Sequence, residues 1–212
     1  MAELMPFAEQ ERSDLLGLAE SLTPEQWAAP SLCEDWSVRD VVTHVVSYDE
    51  LSVPQTVTTF LRGGLRPATV NEVALRRYAE LEPADVVRLV AACRRPRGLP
   101  SAMGGGVALT DGTIHHQDVR RALGMPRVIP RERLVPVLDF SLRAPTLPSR
   151  SNVTGLRLVA EDIGWTAGHG PEVVGPGEAL LMAAAGRAVA LDELRGEGLA
   201  TLRRRVGGTA AG

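Results

Sequence analysis

TDGTIHHQDVRRALG, residues 110–124, belongs to a helix expected from about Val107 to Leu123, entered from the glycines at 104–106 and closed by Gly124 and Pro126. Within it Asp111 and His115 stand four residues apart, the spacing that stacks two side chains on one helical face. Asp118 follows at the next turn, where its carboxylate can accept a hydrogen bond from an imidazole and fix the ring's orientation. His116 points about 100 degrees away from His115, so the two cannot easily serve one ion, and the four-residue step selects His115.

The third candidate ligand lies far upstream. Ser37-Val38-Arg39-Asp40 opens another long helix, because a serine cap with an acidic side chain three residues on satisfies backbone donors at the helix start. Val41, Val42, His44, Val45 and Val46 follow, and valines are poor helix formers in isolation, so packing must hold this helix and His44 sits among apolar neighbours. Histidine is scarce, with only His44, His115, His116 and His169 in the chain. Two nitrogens and one carboxylate from His44, Asp111 and His115 would bind a divalent ion and leave a position open, as catalytic zinc sites do. A plainer reading makes Asp111 a helix cap, His115 a hydrogen-bonded core histidine and His44 unrelated. Spacing alone leaves both open, since D-x-x-x-H is a weak pattern.

Other helices are expected over 7–22, 54–61, 71–81, 83–95 and 130–142, with a short turn of helix after Thr23-Pro24 and a kink at Pro136. After Pro145 the texture changes. Residues 155–160 alternate as a strand continuing towards Trp165, Glu172 to Val174 can pair with it, and Gly177 to Leu194 reads as one Ala-rich helix. The expected organisation is mainly α: a helical bundle over 1–145, a Pro- and Ser-rich linker near 144–153, and a small α+β unit over 154–206.

At 212 residues and a net charge of -3, with acidic and basic residues interspersed, nothing resembles the basic face of a nucleic-acid binder. The arginine runs at 94–97 and 203–205 lie near predicted helix ends, where cations favour the dipole. No stretch approaches the roughly 20 apolar residues that cross a bilayer, and the N-terminal residues do not read as a signal peptide. Two cysteines, Cys33 and Cys93, do not indicate a disulfide framework. These features predict a cytoplasmic protein without nucleic-acid or membrane partners. Gly104-Gly105-Gly106 lacks the lysine and spacing of a phosphate loop, and no Ser-His-Asp elbow is present.

SLCEDWSVRDVVTHV, residues 31–45, and TIHHQDVRRALG, residues 113–124, resemble the two signatures of the mycothiol-dependent maleylpyruvate isomerase family, a branch of the DinB-like four-helix bundles. Residues 155–202 are similar to the small C-terminal domain attached to many of its members. The resemblance implies a metal ion, usually zinc, with nickel as the other candidate, held by His44, Asp111 and His115. It also implies a mycothiol-like low-molecular-weight thiol as cofactor, a small-molecule substrate, and Arg187 as a substrate-handling arginine of the C-terminal domain. The chain departs from the pattern at Asp111, where the isomerase has the longer glutamate. The function so implied is a metal-dependent enzyme using the thiol in isomerisation or S-transfer. The alternatives are a non-catalytic metal- or small-molecule-binding module of the same fold, and a metal-dependent hydrolase. A homodimer formed through helix faces is a further expectation.

Overall fold

The computed structural model describes residues 3–64 and 67–208 and is mainly helical. It divides by its contacts into two compact units, the first ending at Arg127. The first contains α1 (Met5–Ser21), α2 (Pro24–Ala28), α3 (Val38–Val46), α4 (Val53–Arg62), α5 (Pro67–Leu75), α6 (Pro83–Ala92) and α7 (Gly106–Ala122). α1 and α3 each pack on both α6 and α7, which makes these four a bundle. Its core is aliphatic, built from Leu15 and Leu18 of α1, Val41, Val42 and Val45 of α3, Val86 and Val90 of α6 and Val119 of α7.

The expected caps are present. Ser37 Oγ accepts from the Asp40 amide at 3.2 Å, and Asp40 Oδ2 accepts from the Ser37 amide at 3.0 Å. Thr23 and Gln26 make the same reciprocal pair at the start of α2. α7 starts where Gly105 adopts a φ of +88°, and a Cβ there would lie 2.8 Å from the Met5 Cα. A glycine is therefore required for the start of α7 to meet the start of α1.

Two buried polar clusters tie the bundle together. Arg12 on α1 is 1% exposed; its Nη2 donates to Val45 O at 2.6 Å and to Asp49 Oδ2 at 3.0 Å, and its Nη1 donates to Cys93 O at 3.2 Å. One guanidinium thus joins α1 to the C-terminal ends of α3 and α6. Burial pushes the Asp49 carboxyl up even though Arg12 opposes it, as expected where desolvation outweighs attraction.

The second cluster lies between α1 and α7. Arg120 Nε donates to His116 Nε2 at 2.8 Å, which leaves the His116 proton on Nδ1, 2.8 Å from Glu11 Oε1. Arg127 Nη2 donates to the same Glu11 oxygen at 2.5 Å and Arg127 Nε donates to Gln117. Burial works against the Glu11 charge, but the His116 hydrogen bond and the Arg127 charge hold its carboxyl down at about 2, below the ordinary 4.5.

The second unit holds α8 (Arg131–Ser141), α9 (Ser149–Val153), β1 (Arg157–Ala160), β2 (Trp165–Gly168), β3 (Glu172–Gly175), α10 (Gly177–Ala184) and α11 (Leu199–Gly208). The sheet order is β2-β1-β3, with β2 antiparallel and β3 parallel to β1. Sequence placed the linker at 144–153, whereas α8 packs on α10 through a buried face that includes Leu134 and Leu138, and α9 occupies the end of the expected linker. The single helix expected over 177–194 is two: Gly186, at a φ of +97°, turns the chain after α10, and a 3-10 helix follows at Ala188–Glu193. No helix among the described residues is long and apolar enough to cross a membrane.

Replacing Arg12 with Ala leaves the Asp49 carboxylate buried without its partner and should lower stability by about 3–5 kcal/mol, read from the urea midpoint. Because the folded pKa of Glu11 lies below its unfolded value, its contribution is complete above about pH 4.5 and is lost as pH falls towards 2. Glu11→Gln should cost on the order of 3 kcal/mol at pH 7 and flatten the pH dependence of stability between those limits.

Candidate metal centre

α3 and α7 pack against each other, and this contact brings the candidate ligands together. His44 lies in the last turn of α3 and Asp111 and His115 lie in the middle turns of α7. Asp111 Oδ1 lies 3.8 Å from His44 Nε2 and 3.6 Å from His115 Nε2. One donor atom from each residue falls within 4.8 Å of the others. The two imidazoles meet nearly edge to face, with centroids 4.8 Å apart and planes at 84°.

The surroundings are graded. His44 is 4% exposed, His115 14% and Asp111 40%, so the group opens to solvent on its carboxylate side and is closed behind the histidines. Trp36 walls it, with its ring 4.9 Å from that of His44 and 6.3 Å from that of His115. Tyr48 stands edge-on to His44 at 6.1 Å, and its hydroxyl donates to Asn71 Oδ1 at 2.7 Å.

His115 is oriented from behind. Asp118, fully buried, places Oδ2 at 3.0 Å from His115 Nδ1, and Cys33 Sγ donates to the same oxygen at 3.1 Å. This hydrogen bond keeps the Nδ1 proton turned towards Asp118 and leaves the Nε2 lone pair facing Asp111 and His44 when the ring is neutral. Burial disfavours the imidazolium, but the Asp111 charge and the Asp118 hydrogen bond prevail and push the His115 pKa up to about 10. Burial pushes His44 down, with Asp111 opposing, and so favours its neutral form. For Asp111 burial is outweighed by His115 and His44, which hold its carboxyl well below the usual range.

The donor set fits a divalent ion. Nitrogen and oxygen ligands tetrahedrally disposed at zinc-like bond lengths stand about 3.3 Å apart, and here the carboxylate-to-imidazole separations are 3.6 and 3.8 Å. His44 Nδ1 is buried with no hydrogen-bond partner among the described residues, while Asp111 Oδ1 lies 3.8 Å from Nε2.

His44, Asp111 and His115 are thus brought together, and Asp118 stands against His115. His116 points into the buried Glu11 cluster instead. Arg187 belongs to the second unit, where it precedes the 3-10 helix and donates to Ala185 O at 2.8 Å. His169 is exposed in the turn between β2 and β3, and Trp165 donates to Asp139. The sequence reading left out Tyr48, whose position four residues past His44 was an available signal. Cys33 reads from sequence either as a reactive thiol or, more safely, as a small buried residue, and no local pattern connects it to Asp118 across 85 positions.

Comparison with curated proteins gives no match. Two solved structures share the fold: a crystal structure of the mycothiol-dependent maleylpyruvate isomerase, at 15% identity, and one of its histidine-to-alanine mutant, at 16%. Each gives a TM-score of 0.53 and covers 92% of both chains. Residues 8–98 match the family model described as the mycothiol maleylpyruvate isomerase N-terminal domain, a span that includes His44 and stops before α7. Over residues 8–98 the chain is thus similar to the mycothiol maleylpyruvate isomerase N-terminal domain family, and along most of its length it shares the fold of the two isomerase structures.

Proposed function

We propose that this protein is a metal-dependent enzyme that uses a low-molecular-weight thiol of the mycothiol kind, either to isomerise an activated double bond or to transfer the thiol to an electrophile. The observation that carries the reading is the convergence of His44, Asp111 and His115 in a site open on one side. Those three residues would hold the ion, zinc or nickel. When bound, such an ion lowers the pKa of a thiol sulfur and so favours the nucleophilic thiolate at neutral pH.

The chain's own residues supply the rest. The Asp118 carboxylate holds the His115 proton at Nδ1, so that the ring offers Nε2. Burial keeps His44 in the neutral form that can donate a lone pair. Trp36 excludes water from the histidine side, and the exposed flank of Asp111 leaves the approach for substrate. Arg187 is assigned to a substrate carboxylate, for which a guanidinium fork is suited. Isomerisation and S-transfer share the thiolate and differ in whether it leaves the product.

Protein purified without a histidine tag should carry at least one zinc or nickel per chain by inductively coupled plasma mass spectrometry, and His44→Ala and His115→Ala should each lower that content by about one ion or more. Absence of metal after reconstitution would end this reading and favour a binding module. Asp118→Asn should weaken metal affinity about 10–100-fold in competition with a chelator while the fold is retained by circular dichroism. Turnover of an electrophilic cis-alkene dicarboxylate should require added thiol. Turnover that proceeds equally without thiol would reject the thiol-dependent reading.

A further inference from the structure

His115 is flanked by ligand-type atoms on both edges of its ring. Nε2 faces Asp111 and His44, while Nδ1 lies 3.0 Å from Asp118 Oδ2 and 3.5 Å from Cys33 Sγ. Cys33 Sγ, His115 Nδ1 and Asp118 Oδ2 form a second group of three donors lying within 4.8 Å of one another. We propose that this group is a second cation position, with a thiolate ligand, that shares His115 with the first. The sharing rests on the metal-centre reading above; the donor set stands by itself.

Three observations carry the inference. Sulfur, nitrogen and oxygen ligands around one tetrahedral zinc-like ion stand about 3.3–3.6 Å apart, and the present separations of 3.0, 3.1 and 3.5 Å need only a small outward movement. The donors are also held before any ion arrives. Ser31 Oγ accepts from the Cys33 amide at 3.0 Å and donates to Trp36 O at 2.8 Å, while the Leu32 amide donates to Asp118 O at 3.4 Å. The turn carrying Cys33 is thereby fastened to the helix that carries the other two donors. Finally, carboxylates flank the ring on both sides, the fully buried Asp118 at Nδ1 and Asp111 at Nε2.

The two positions differ in chemistry. A sulfur, nitrogen and oxygen set favours softer ions than the two nitrogens and one oxygen of the first. On binding a divalent ion, the Cys33 thiol would release its proton to solvent as the metal–sulfur bond forms. Ligation through His115 Nδ1 would also displace to solvent the proton that Asp118 otherwise holds there.

The test is anaerobic titration of metal-free full-length protein with cobalt(II), read by absorption and by stoichiometry. The expectation is about two equivalents bound and a thiolate-to-cobalt charge-transfer band. Cys33→Ser and Cys33→Ala should abolish that band and Cys93→Ser should not. His44→Ala should keep the band but bind about one equivalent. Saturation of the wild type without the band, or a band that survives both Cys33 substitutions, would overturn the proposal. One equivalent bound without a band and lost in His44→Ala would reject the second position and leave the first standing. A Cys33-dependent band with stoichiometry unchanged in His44→Ala would support the second position and reject the first. No cobalt binding would reject both.

Discussion

Arg12 sends one guanidinium into the bundle and there satisfies the carbonyls of Val45 and Cys93 and the carboxylate of Asp49. The carbonyl at Val45 is adjacent in sequence to His44, so this clamp fixes the last turn of α3, the turn from which a candidate ligand projects. It is a costly arrangement, because a buried ion pair gains little over well-packed apolar side chains. What it provides is registration: α1, α3 and α6 are fastened at the level of the site by directional bonds, where aliphatic packing alone tolerates small slides.

α7 is fastened from two sides. On its α1 face the neutral His116 ring links Arg120 to Glu11, and Arg127 closes the other side of that carboxylate. On the neighbouring face Asp118 receives the His115 and Cys33 hydrogen bonds. Two adjacent histidines therefore have opposite characters. His116 is depressed by burial among arginines, and His115 is raised by the carboxylates on either edge. The same residue type, one position apart on one helix, is structural in one case and chemically available in the other, and the difference lies in the charges each face meets.

The bundle was legible because its signals are local. The Ser37–Asp40 and Thr23–Gln26 capping boxes, the valines of α3 and the Asp111–His115 step all express helical periodicity within one element. The helix expected over 177–194 was misread because alanine favours helix throughout it, while Gly186 at a positive φ stops α10 after Ala184. The place of α8 could not be read either. Its apolar stripe shows that it packs, and the buried surface of α10 determines where.

By itself the sequence determined a mainly helical chain ending in a small α+β unit, and it picked out His44, Asp111 and His115 as ligand-type residues of scarce kinds at meaningful spacings. The crossing of α3 on α7 decided that the three meet, and the fold of the 31–36 turn decided that Cys33 reaches Asp118. The reason is separation along the chain. Helical periodicity relates residues within about four positions of each other, whereas His44 meets His115, and Cys33 meets Asp118, only after burial of the aliphatic core has set which helix faces oppose.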